Sequence, residues 1–149
     1  MSNTTSILND LIEMLKDGQE GFRSAAADVE STDLKTLFGE YSLQRSKFAG
    51  ELQSLTRSLG DDEPAESGSM AGALHRGWIN IKSALSSKDE HAILAECERG
   101  EDSAVAEYKK ALEVTDLPGN VQDTLRSQYA EVKAAHDRIR DLRDSLVAK

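Results

Sequence analysis

Four stretches of this chain carry apolar residues at alternating steps of three and four. That spacing constrains the fold more than any other feature, because it lines one face of an α-helix and no face of a strand. The first stretch runs from about Ser6 to Glu30 on the seam Leu8, Leu11, Leu15, Gly18, Phe22, Ala25 and Val29, with Thr4 and Thr5 ahead of it as caps. The second, about Asp33 to Leu59, has Thr32 as cap and the seam Leu34, Phe38, Tyr41, Arg45, Phe48, Leu52, Leu55 and Leu59. The third begins at the capping box Ser87-Lys88-Asp89-Glu90, runs to about Val114 and presents Leu94, Cys97, Glu101, Ala104, Tyr108 and Ala111. TDLPGN breaks the pattern, and the last stretch starts near Pro118 or Asn120 with Leu125, Tyr129, Val132, His136, Ile139 and Leu146 on its seam.

Helices of about 25 to 29 residues rise roughly 37 to 44 Å, so the four are matched in length as bundle members require. A chain of 149 residues is within the range of one domain, and residues 1–149 are expected to form one. The first and second helices, and the third and fourth, are joined by short connections and must be antiparallel. The middle connection is different. It opens with the charged, small-residue loop GDDEPAESGS from Gly60 to Ser69. Leu74, Trp78, Ile81 and Leu85 then line one face of a shorter helix from about Met70 to Leu85, anchored by Trp78. Such an insert is long enough to return the chain along the bundle, so that the third long helix runs parallel to the second; a plain up-down-up-down bundle, which would need only a short middle loop, is the other order the four helices allow. The expected fold is therefore all-α, a ferritin-like four-helix bundle with a long crossover connection carrying an extra short helix.

Composition excludes several classes of function. The apolar runs are short, against the roughly 20 residues a membrane span requires. The opening residues MSNTTSILND lack the basic and apolar segments of a secretory or transit peptide, which predicts a cytoplasmic protein. A single cysteine, Cys97, rules out an intramolecular disulfide framework and a Cys-rich zinc site, and reads as a buried, inert thiol. A net charge of −9 opposes binding to a phosphate backbone. The one basic cluster, RIRDLR from Arg138 to Arg143, reads as a solvated helix face. Neither a Gly-rich phosphate loop nor a Ser-His-Asp order is present, so hydrolase, kinase and dehydrogenase chemistry have no motif behind them.

Near the middle of each helix the seam is interrupted by a residue that is not a large apolar one: Gly18, Arg45, Glu101 and His136. In a bundle of matched helices the midpoints share one height, so these four positions are expected to form a polar layer. Taking a charge out of water is costly unless it is paired, so Arg45 should lie within ion-pair reach of Glu101, with His136 close by and Gly18 leaving room for the arginine. The acidic segment Glu96, Glu98, Glu101 and Asp102 otherwise reads as a solvated face, and His75 and His91 as structural or surface residues.

The segments KDGQEGFRSAA, ALHRGW, HAILAECERGEDSAVAEYKKAL and VKAAHDRIR resemble those of a bacterial ferritin-like four-helix family of unknown function. The resemblance covers nearly the whole chain and is most specific in GALHRGW and ECERGED. Ferritin-like dimetal proteins place a glutamate on each of two helices and Glu-x-x-His on the other two. Here the corresponding positions in helix two hold Arg45 and Phe48, those in helix four hold Lys133 and His136, and helix one has Leu15 where a ligand glutamate would stand. Glu101 and His136 alone match.

The resemblance with its missing ligands implies a non-enzymatic bundle protein with a structural, interaction or stress-related role. It would hold a salt-bridged polar layer in place of a dimetal centre, without cofactor. Its partner would be an unidentified protein or a second copy, as in a dimer, and neither nucleic acid nor membrane. The alternative is a metal-binding or oxidase-like protein using Glu101 and His136 with Glu98 or Glu20, and iron, manganese or zinc.

Overall fold

The computed structural model describes residues 2–60, 78 and 81–147. Among them are five α-helices and no strand: α1 (Ser2–Asp28), α2 (Thr32–Ser58), α3 (Ile81–Ser87), α4 (Glu90–Leu112) and α5 (Gly119–Val147). The all-α class follows from the periodicity. Most of the connection between α2 and α3 lies outside the described residues, including the loop from 61 to 69, Leu74 and His75. Of the short helix expected from about Met70 to Leu85, Trp78 is described and is not helical, and α3 begins at Ile81 and runs to Ser87.

Local chemistry shifts several helix ends from where the sequence puts them. Thr4 and Thr5 are not caps but lie inside α1, with Thr4 buried. Ser2 to Ser6 is a run of cap-forming residues, and such a run does not by itself select one. Ser31, not Thr32, caps α2: its backbone is extended, and its Oγ accepts from the Leu34 N–H at 3.3 Å. The Ser87–Glu90 capping box does not form. The Ser87 hydroxyl donates to the Ala84 carbonyl at 2.6 Å and so closes α3, Lys88 turns the chain with a φ of 57°, and Asp89 caps α4 by accepting from the His91 N–H at 3.0 Å. A carboxylate one residue from the helix reaches its orphan donors, whereas the Ser87 hydroxyl donates to the preceding helix and accepts from the Asp89 N–H, short of those donors.

The directions of the long helices follow from how the core divides. One apolar cluster contains Leu8 to Leu15 of α1, Phe48 and Leu52 of α2, Ala104 to Ala111 of α4, and Val121 to Val132 of α5. A second contains Phe22 to Val29 of α1, Leu34 and Phe38 of α2, Ile93 to Cys97 of α4, and Ile139 of α5, together with Trp78 and the buried face of α3. Chain order thus runs from the first cluster to the second in α1 and α5, and the opposite way in α2 and α4. Helices α2 and α4 are parallel to each other and antiparallel to the other two. Between the clusters, along α1, α2 and α4, stand Gly18, Arg45 and Glu101.

Candidate functional site

Among the described residues, Arg45 and Glu101 are the most deeply buried charged side chains, 1% and 0% exposed. Each replaces one seam residue between two apolar turns, Arg45 between Phe38 and Phe48 and Glu101 between Cys97 and Ala104. The guanidinium and carboxylate meet side by side. Nη2 donates to Oε2 at 2.7 Å and Nη1 donates to Oε1, giving the bidentate geometry that suits a planar fork and a carboxylate. Nε donates to the Gln44 side chain at 3.1 Å, and the guanidinium carbon lies 5.4 Å from the centre of the Phe22 ring. Burial alone would pull the Arg45 pKa down, but the charge and hydrogen bonds of Glu101 outweigh it, so the guanidinium holds its proton more tightly than in water. Burial, with Glu101 and Glu96 adding to it, pushes the Cys97 thiol well above its ordinary value, which keeps it protonated and a poor nucleophile.

Gly18 lies against the arginine. A Cβ there would sit 3.8 Å from Arg45 Cγ and Nη1, an ordinary contact, so an alanine would fit and a larger side chain would press on the pair. Two other glycines matter more, and periodicity did not single them out. The Trp78 indole is wedged between α1 and α4, where a Cβ on Gly21 would come within 2.3 Å and one on Gly100 within 2.2 Å of its ring atoms. The ring also stands edge-on to Phe22, with centroids 5.0 Å apart at 73°. The signal available in the sequence was the pair of glycines in helix interiors, each unfavourable to the helix by about 0.5–1 kcal/mol relative to alanine.

His136 does not join the interior layer. The position that α5 contributes between the two clusters is Ala135, which is buried, while His136 stands at the helix edge. Its Nε2 lies 2.6 Å from Asp102 Oδ1 and 3.7 Å from Glu98 Oε2, and its Nδ1 lies 3.0 Å from Asp137 Oδ1. The hydrogen bonds of Glu101 instead go to Arg45. Glu98 is nearly buried and paired with Arg143 of the basic cluster, so neither the acidic segment nor the basic one is a purely solvated face. Glu96 is buried too, and Asp102 is the exposed acid of the four. Glu20 is exposed and pairs with Arg23 at 3.6 Å, apart from the His136 group. His91 is half-buried in the first turn of α4, where Asp89 holds its backbone N–H.

These placements decide whether the interior fits a dimetal centre. Both Glu101 oxygens are held by Arg45, a fixed cation in the space of the metals. Leu15 and Phe48 bring hydrocarbon to the two other ligand positions, and Lys133 turns to Asp137 at 3.0 Å. The residues do not fit such a centre.

A second polar contact ties α5 to the core. The Tyr108 hydroxyl donates to Gln128 Oε1 at 2.8 Å, and the Gln128 amide donates to the Phe48 carbonyl at 3.3 Å and to Glu51 at 2.9 Å. Among the described residues no helix is long and apolar enough to cross a membrane. None of the curated proteins matches the chain. Residues 3–114, which carry Gly18, Arg45, Trp78, Gly100 and Glu101, match the family described as a domain of unknown function (DUF2383), and the chain belongs to that family.

Proposed function

We propose that this chain is a non-enzymatic, cytoplasmic member of the ferritin-like bundles, in which a buried ion pair takes the place of a dimetal centre. It works through its surface, as a structural or interaction protein. The observation that carries this reading is the bidentate Arg45–Glu101 pair, shut between two apolar clusters. A redox centre needs open coordination positions and a path for dioxygen, whereas both carboxylate oxygens here are occupied and the space around them is too small for a water molecule. The parallel run of α2 and α4, separated in the chain by a long connection, supports the ferritin-like order.

The test is elemental analysis of protein purified without chelators, combined with the rate of Fe(II) oxidation by dioxygen. The expected result is no pair of iron or manganese ions per chain and no acceleration over buffer. A stoichiometric metal pair that disappears in Glu101→Gln would overturn the reading.

A further inference from the structure

The side chains around His136 have a different character from the interior pair. Glu98 and Asp102 stand one turn apart on α4 and face His136 across the α4–α5 contact. One donor atom from each, Glu98 Oε2, Asp102 Oδ1 and a His136 ring nitrogen, lies within 4.8 Å of the other two. Two features prepare these groups for a ligand. The Nδ1 of His136 is engaged by Asp137, itself held by Lys133 at 3.0 Å, which orients the ring and leaves Nε2 as the ligating nitrogen. Glu98 is nine-tenths buried, with Arg143 on Oε1, and its Oε2 points towards Nε2 from 3.7 Å, too long for a hydrogen bond.

We propose that Glu98, Asp102 and His136 form a mononuclear site for a divalent transition ion, with zinc as its best occupant. The donor set of one imidazole and two carboxylates suits a borderline ion, and three protein ligands leave a fourth position for water. At zinc–ligand distances of about 2.0–2.2 Å, tetrahedral donors stand about 3.4 Å apart. The Glu98 oxygen is already near that separation from Nε2. Asp102, with its side chain 62% exposed, has the freedom to draw back from 2.6 Å. The site lies outside the interior layer and does not depend on the reading of Arg45 and Glu101. In the absence of an ion, hydrogen bonds among the same side chains would account for the same contacts, and the experiment separates the two.

The full chain, stripped with chelator and dialysed, is titrated with Zn2+ by calorimetry and with Co2+ by visible absorption. One ion per chain is expected, with the intense d–d bands of a four-coordinate Co2+ site. His136→Gln should weaken binding by at least tenfold, and Asp102→Asn, at an exposed position that leaves folding intact, should weaken it about tenfold or more. Asp137→Asn should weaken it about 10–100-fold through the ring it orients. His91→Gln and His75→Gln should leave it unchanged, as should the paired substitution Arg45→Met with Glu101→Leu. Zinc binding that survives both His136→Gln and Asp102→Asn, or that is lost on changing His91, would overturn the assignment, as would no binding at all. Loss of a metal pair on changing Glu101 would count against the proposed function instead, so the two failures are distinct.

Discussion

The indole of Trp78 occupies the space that a side chain at residue 100 would need: a Cβ on Gly100 would lie 2.2 Å from Trp78 Cε2. Gly100→Ala should therefore lower stability by about 1–3 kcal/mol, because overpacking outweighs the gain of up to about 1 kcal/mol from better helix propensity. Gly39 and Gly50 are the internal controls, since a Cβ at either meets nothing within 4 Å. Alanine at those positions should stabilise by up to about 1 kcal/mol. Urea unfolding midpoints for the three variants check this. A Gly100→Ala protein as stable as the Gly39→Ala protein would mean the indole is not seated there.

Removing the wedge is the complementary experiment. Trp78→Ala should cost about 3–5 kcal/mol, the range for truncating a large buried aromatic. Combined with Gly100→Ala it should cost less than the sum of the two, because the clash has gone. Additive effects in thermal or urea unfolding would show that Trp78 and Gly100 do not touch.

The interior ion pair should behave asymmetrically. Arg45→Met leaves the Glu101 carboxylate buried and unpaired, at about 3–5 kcal/mol, and the added change Glu101→Leu should recover much of that. The comparison is made by chemical denaturation at neutral pH. A double variant no more stable than Arg45→Met would indicate that the pair contributes through more than mutual neutralisation.

Tyr108 supplies a test of pH dependence. Burial holds its phenol well above the ordinary range, against the opposing pull of Arg45 and with some help from Glu101. In the unfolded chain the phenol ionises near pH 10, so the folded state binds the proton more tightly. The stability this brings is fully present below about pH 10 and declines as pH rises beyond it. Tyr108→Phe should cost about 1–3 kcal/mol at pH 7, because Gln128 Oε1 loses its donor. The gap between wild type and variant should narrow above about pH 10. A gap that stays constant to pH 11 would contradict a buried, neutral phenol.

Much of the fold was legible because helical periodicity records burial directly. On α4 every seam residue, from Leu94 through Glu101 to Ala111, is buried, and Glu101 and Arg45 lie together at the helix midpoints. On α5 the buried face departs from the expected seam by one position in places. The buried face runs through Val121, Leu125, Gln128, Val132, Ala135 and Ile139, so Gln128 and Ala135 point inward where Tyr129 and His136 were expected. Both pairs satisfy steps of three and four, and a sequence window cannot tell which of two adjacent residues a helix turns inward. That rotation is set by the neighbours. It carries His136 out of the interior layer and to the side of Glu98 and Asp102.

The sequence by itself determined the all-α class, the long helices and the height at which their charged residues fall, because these depend on the spacing of apolar side chains along one helix at a time. Tertiary structure decided the rest. It rotated α5, seated Trp78 between Gly21 and Gly100, and made Arg143 a partner of Glu98. Each of these joins residues from different helices, and such contacts arise only when several buried faces pack at once and each helix settles where its neighbours leave room.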